Sequence, residues 1–210
     1  MVDTNGRAVS IGQSEFRCPC HACAFFHSRD EEYELLLPWA KDGYEAGDQL
    51  FQVVDKEHRD ERRRRLASCG INLEKAESAG QLEVWAWEEA YLRGNRFDQH
   101  AMLHLVQSVL GEARSKGFPI TRFWANMEWA LEDLPGVHDI VEYEARASKV
   151  LPQYPAFVVC TYDLNKFSAP VVMDIMRTHP QVIIGGVLQE NPFYVPPDEF
   201  LAELGHRPVP

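Results

Sequence analysis

Apolar positions along the chain follow two rhythms in turn. Short continuous runs predict strands at Ala22 to Phe26, Leu50 to Val54, Leu82 to Trp87, Ile120 to Met127, Ala156 to Tyr162 and Val182 to Leu188. Between them, apolar residues recur every three or four positions. The clearest such stretch is Phe97 to Lys116, where Phe97, Ala101, Met102, Leu105, Val106, Val109, Leu110 and Ala113 line one side of a helix. Further helices are predicted over His58 to Ser68, Val137 to Leu151, Ala169 to Thr178 and Pro196 to Leu204. The first helix opens at Ser28-Arg29-Asp30-Glu31, a capping box, and carries Tyr33, Leu36, Leu37, Ala40 and Tyr44. Pro38 is expected to kink or split it, and Gly43 and Gly47 to end it.

Strand and helix alternate almost throughout, which means βαβ units. The fold class is therefore α/β, with a mainly parallel sheet of about six or more strands and helices on both faces. Residues 1–15 read as a flexible N-terminal arm and 16–210 as a single domain. A chain of 210 residues is long enough to bury a full core without staples.

The net charge of −11 argues against direct binding to nucleic acid, which needs basic surface to replace counterions. The basic run Arg62 to Arg65 sits beside Glu57, Asp60 and Glu61 and reads as a solvated helix face. No apolar run approaches membrane-span length, and Met1 to Glu15 lacks the apolar core of a signal peptide. With five cysteines, an odd number, reduced thiols and a cytoplasmic location are expected.

The turn after the first strand is where such folds hold phosphates. Here it reads Phe26-His27-Ser28-Arg29-Asp30-Glu31-Glu32, without glycine or lysine. Three consecutive carboxylates would occupy the positive end of the helix and repel an anion. No P-loop or GxGxxG motif occurs elsewhere. ATP is therefore not expected.

Several stretches in order resemble the MEDS family, the methanogen/methylotroph sensory domain. They are His21-Ala22-Cys23-Ala24-Phe25-Phe26, Leu37-Pro38-Trp39, Gly43-Tyr44-Glu45-Ala46-Gly47-Asp48, Gly80-Gln81-Leu82, Tyr91-Leu92-Arg93-Gly94 with Phe97-Asp98, and Met127-Glu128-Trp129-Ala130. Tyr143-Glu144-Ala145-Arg146, Cys160-Thr161-Tyr162-Asp163, Thr178-His179-Pro180 and Asn191-Pro192-Phe193-Tyr194-Val195-Pro196-Pro197 complete the set. The resemblance implies a three-layer fold similar to the RecA/KaiC core, with a degenerate P-loop. It implies a non-catalytic sensory role in signal transduction, with a small hydrocarbon-like or halogenated compound as signal. Family members often carry a DNA-binding domain or a histidine kinase, so this solo domain is expected to act through such a protein partner, with room for a homodimer.

Residues expected to bind the ligand lie near the carboxyl edge of the sheet: His21, Cys23, Phe25, Met127, Glu128, Trp129, Tyr143, Cys160, Tyr162 and His179. Trp and Met supply an apolar, polarizable wall, and Glu128 a polar anchor or an exposed side chain. A buried Glu144 would want Arg122 or Arg146. The alternative is a metal- or redox-responsive regulator, with zinc or another thiolate-bound metal on Cys18, Cys20, Cys23 and His27. Against that stands the reading of Cys23 as a small buried hydrophobe and of Cys18 and Cys20 as exposed. A third reading is an enzyme on a degenerate nucleotide-binding fold, although no catalytic triad or HExxH motif is present.

Overall fold

The computed structural model describes residues 7–207. Strands form where the short apolar runs fall: β3 (Cys20–Phe26), β4 (Gln49–Val54), β5 (Leu82–Ala86), β6 (Thr121–Asn126), β7 (Ala156–Asp163), β8 (Gln181–Ile184) and β9 (Val187–Glu190). They make one seven-stranded sheet in the order β5-β4-β6-β7-β3-β8-β9, parallel except for β9. The helices are α1 (Arg29–Glu45), α2 (Arg59–Ser68), α3 (Leu73–Ser78), α4 (Gln99–Ser115), α5 (Ile140–Val150), α6 (Ala169–Thr178) and α7 (Pro197–Leu204).

The central strands are buried on both faces, so their side chains alternate between two cores. Cys23, Phe25, Val158, Cys160 and Tyr162 pack beneath α4, α5 and α6. Cys20, Ala22, Ala24, Phe26, Phe157 and Val159 face Tyr33, Leu36 and Trp39 of α1. A third cluster joins α1, α2 and α3 to β4 and β5.

Four expectations need correction. The described part of the expected arm is structured: β1 (Ala8–Ile11) and β2 (Ser14–Arg17) form an antiparallel hairpin with Val9 and Ile11 buried against the α1 side. Arg7 anchors it through both oxygens of buried Asp48. Residues 1–6 of that arm lie outside the described residues. Second, the single strand expected over 182–188 is the β8–β9 hairpin, because Gly185 and Gly186 both take positive φ and reverse the chain. Third, α1 runs unbroken through Pro38. Pro38 and Glu34 are both exposed, so the Glu34 carbonyl that loses its amide partner faces water.

Fourth, Gly43 does not end α1; Gly47, at φ +78°, follows the helix instead. Gly43 is buried, and a Cβ there would lie 2.4 Å from Arg122 Cδ. Arg122 cannot step aside. Its Nε donates to Asp48 at 2.9 Å and its Nη1 to the Trp39 carbonyl at 2.5 Å. Helix propensity alone would favour Gly43→Ala by about 1 kcal/mol. Disturbing one partner of a buried ion pair costs about 3–5 kcal/mol. Gly43→Ala is therefore expected to destabilise the protein by roughly 2 kcal/mol or more, read as a lower urea midpoint at unchanged slope. An unchanged or raised midpoint would mean that Arg122 is not held as described.

Candidate functional site

Five ionisable groups meet between the central strands and α5. β3 contributes His21, β7 contributes Cys160 and Tyr162, α5 contributes Glu144 and Ser148, and the residue after α6 is His179. Glu144 and His179 have no exposed surface, and His21 is 4% exposed. Glu144 and Ser148 share a face of α5 because they lie one turn apart. Pro180 holds His179 in extended geometry at φ −113°, which turns it off the end of α6 into the core.

The Glu144 carboxylate is the hub. Its Oε1 accepts from Tyr162 Oη at 2.8 Å. Its Oε2 lies 3.4 Å from His21 Nε2, 3.4 Å from His179 Nε2 and 4.0 Å from Cys160 Sγ. Cys160 Sγ is also 3.6 Å from His21 Nε2. His21 Nδ1 lies 2.8 Å from Ser148 Oγ, whose hydroxyl donates to the Thr178 carbonyl at 2.6 Å. His179 Nδ1 lies 2.9 Å from the Ile175 carbonyl. The two rings sit against each other with centroids 4.1 Å apart. Burial and neighbouring His179 push the His21 imidazole down to about 4, so it is neutral near pH 7. Burial acts to raise Glu144, but the two imidazoles outweigh it and hold the carboxyl below its ordinary value. Burial, reinforced by Glu144, pushes the Cys160 thiol and the Tyr162 phenol up.

Beside this cluster stands a box of aromatic rings. Tyr91 stacks on Trp129 at 4.7 Å and 12°, and Phe97 lies 4.3 Å from Trp129. Tyr143 meets Tyr91 and Phe97 edge-on at 6.1 and 5.4 Å. All four are buried, and the Trp129 indole N–H has no acceptor among the described residues. A cleft of about 180 Å³ reaches Tyr91 from outside, lined by Ala90, Ala101, Met102 and Leu105 with Arg93, Arg96 and Asp98 at its rim. Gly136 closes the box. At φ +84° it lets Phe97 N bond the Pro135 carbonyl at 2.9 Å, and a Cβ there would lie 2.2 Å from Phe97 O.

At the carboxyl edge itself is a separate polar cleft of about 400 Å³, with Arg29, Asp55, His58, Glu128 and Lys166 among its lining. The α1 N-terminus beside it is occupied by the chain's own side chains. Ser28 Oγ accepts the Glu31 amide, and Glu31 accepts the His27 amide at 2.7 Å. Glu32 is buried and accepts from Arg62, Trp124 and Thr161.

Of the ten residues expected to bind a ligand, the structure gathers nine on one face of the sheet. Cys23, Phe25, Met127, Trp129, Tyr143, Cys160 and Tyr162 share a core cluster, and His21 and His179 adjoin it through Glu144. Glu128 stands apart in the polar cleft, paired with Lys166 at 2.6 Å. Cys18, Cys20, Cys23 and His27 are parted. Cys18 and Cys20 are buried on the α1 side rather than exposed, Cys23 is on the opposite face, and His27 is exposed. Strand alternation separates Cys20 from Cys23, an odd step apart. Glu144 pairs with neither arginine: Arg146 bonds Glu142 and Arg122 bonds Asp48. Tyr91 and Phe97 were not foreseen as site residues. Their signal was the Tyr91-Leu92-Arg93-Gly94 segment with Phe97-Asp98, a motif between two elements rather than within one.

Residues 20–180, well over half of the chain, match the family described as MEDS, the methanogen/methylotroph, DcmR sensory domain. The chain is 26% identical over 160 residues to the transcriptional repressor DcmR of Methylorubrum extorquens. That alignment covers 76% of this chain and 57% of the repressor, so the chain spans little more than half of that relative's length. Among solved structures, a KaiC-like protein from Pyrococcus horikoshii OT3 superposes with a TM-score of 0.59 at 16% identity, covering 82% of this chain and 73% of that one. This likeness establishes the RecA/KaiC-type fold.

Thiol accessibility follows from the same geometry. Cys18, Cys20, Cys23 and Cys160 are buried, and Cys69 alone among the five is partly exposed. Burial pushes Cys18 up to about 12 and also raises Cys20, Cys23 and Cys160 well above the ordinary thiol range. A disulfide-exchange reagent should therefore label Cys69 alone in the native protein and all five thiols in concentrated guanidinium chloride. Rapid native labelling of two or more thiols would show that one of these cores is open.

Proposed function

The chain belongs to the MEDS family, and on that premise we propose that it is a non-catalytic sensory domain whose aromatic box takes a small, mostly apolar molecule. The observation that carries this reading is the convergence of Tyr91, Phe97, Trp129 and Tyr143 next to a narrow cleft. Rings supply a large polarizable surface that suits hydrocarbon-like or halogenated compounds, and the unpaired Trp129 N–H offers one weak polar contact. Removing the apolar surface of such a ligand from water drives entry, and fit and dispersion against the rings add to it. The relative named as a transcriptional repressor supports a regulatory output, which for this acidic domain runs through a protein partner rather than through direct contact with nucleic acid.

Nucleotide binding is not part of this reading. The α1 amides that would receive phosphate are capped by Ser28 and flanked by Asp30, Glu31 and Glu32.

The test is thermal unfolding with a panel of small chlorinated and brominated alkanes and short hydrocarbons. At least one compound is expected to raise the melting temperature, by about 2.7 kcal/mol of stability at one hundred times its Kd. Brominated members should quench Trp129 fluorescence. Met102→Trp, which fills the cleft, and Gly136→Ala, which displaces Phe97, should each remove the shift. ATP at millimolar concentration should leave the melting temperature unchanged. No shift across the panel, or an ATP shift without one, would overturn the proposal.

A further inference from the structure

The cluster around Glu144 is unexplained by an apolar ligand, and its hydrogen bonds show what it lacks. The Ser148 hydroxyl proton is committed to the Thr178 carbonyl, so Ser148 Oγ can only accept, and His21 Nδ1 carries the proton. The Ile175 carbonyl also only accepts, which puts a proton on His179 Nδ1. With the proton on Nδ1, each ring turns an Nε2 lone pair toward Glu144 Oε2, 3.4 Å away. That is long for a charge-assisted hydrogen bond, at about 2.7–2.9 Å. His179 Nε2 has no hydrogen-bond partner among the described residues, although the residue is fully buried.

We propose that His21 Nε2, His179 Nε2, Cys160 Sγ and Glu144 Oε2 together bind one divalent, thiophilic metal ion, with zinc as the representative case. The ligand atoms lie within 4.8 Å of one another. A tetrahedral zinc site with Zn–N and Zn–O near 2.0–2.1 Å and Zn–S near 2.3 Å has N···O edges of about 3.3–3.4 Å and N···S edges of about 3.5–3.6 Å. The corresponding distances here are 3.4 and 3.4 Å to Glu144 and 3.6 Å between Cys160 and His21. The Cys160–Glu144 edge, at 4.0 Å, closes by a few tenths of an ångström.

The outer contacts fit as well. Each imidazole holds its far N–H on an oxygen, and Tyr162 holds the carboxylate by Oε1, leaving Oε2 to face the ion. Binding exchanges the Cys160 thiol proton for the metal and releases that proton to solvent. The thiolate, the carboxylate and the dication then sum to zero charge, which the dry core tolerates. All four ligands come from separate elements, so the ion would tie β3, β7, α5 and the α6–β8 junction together.

The proposal is independent of what the aromatic box binds. The test uses the full chain without a histidine tag, stripped with chelator and titrated with Co²⁺ and then Zn²⁺. One equivalent of Co²⁺ is expected to give a thiolate-to-cobalt band that Zn²⁺ bleaches. Cys160→Ser should lose the band, Cys20→Ser should keep it, and Tyr162→Phe should weaken the Kd about 10-fold or more. Should Cys160→Ser not fold, X-ray absorption of the zinc-loaded wild type decides, with one sulfur at about 2.3 Å and three nitrogen or oxygen ligands at about 2.0 Å. Failure to bind Co²⁺ or Zn²⁺, a band that survives Cys160→Ser, or more than one sulfur on the zinc would overturn the assignment. Binding of the halogenated panel by metal-free protein would leave the sensory reading standing while this one fell.

Discussion

A carboxylate without exposed surface must be compensated, and Glu144 imposes that requirement on the centre of this fold. Among the described residues, no lysine or arginine answers it. Tyr162 donates one hydrogen bond at 2.8 Å, and two imidazole nitrogens stand 3.4 Å away, delivered by β7, β3 and the end of α6. Those groups are in turn held by Ser148, Thr178 and the Ile175 carbonyl. The relative placement of α5, α6 and the central strands is thus tied to one charge. A buried polar network of this kind is stabilising only when every member is satisfied. The pairing of Tyr162 and Glu144 also explains why a tyrosine, not a phenylalanine, occupies an otherwise apolar strand.

The opposite face solves the same problem by other means. Asp48 is fully buried and is met by Arg122 and Arg7, while Glu32 is met by Arg62, Trp124 and Thr161. The Arg62 guanidinium lies 3.5 Å from the centre of the Trp124 ring, which adds a cation–π contact. Ordinary ion pairs therefore hold the α1 side together. The α5 side uses imidazole, phenol and thiol. That difference in chemistry marks the α5 side as the one built for something beyond packing, because imidazole and thiol are groups that coordinate and arginine is not.

Much of the framework could be read from the chain because it depends on local rules. The run from Ala22 to Phe26 is too apolar and too short for anything but a buried strand, and the Ser28 cap fixes where α1 begins. Features that depend on a neighbour could not be read. Gly43 looks like a helix stop until Arg122 is seen lying against it. Pro38 looks like a break until its exposure is known. Cys18, Cys20 and Cys23 look like one cluster because spacing along the chain says nothing about which face of a strand a thiol joins. The nine gathered ligand-side residues could be placed because odd and even positions on β3 and β7 sort themselves. Glu144 could be flagged as buried, yet its partners come from three other elements, and only tertiary structure brings those together.

The aromatic box and the ionisable cluster are not separate features, because consecutive residues of α5 serve them. Tyr143 closes the box against Tyr91 and Phe97, and Glu144 faces the imidazoles. Successive helix positions lie about 100° apart, so the two side chains leave α5 in fixed relative directions. A shift of α5 caused by repacking at the Tyr143 ring would therefore carry Glu144 with it. α5 also carries Lys149, bonded to Asp198 at 2.7 Å on α7, near the chain's carboxyl end. One helix thus connects the box, the buried charge and an outer helix by contiguous contacts. Small displacements in a close-packed core are passed on by rigid elements rather than absorbed, so a shift of α5 at the box would be carried to Glu144 and to α7.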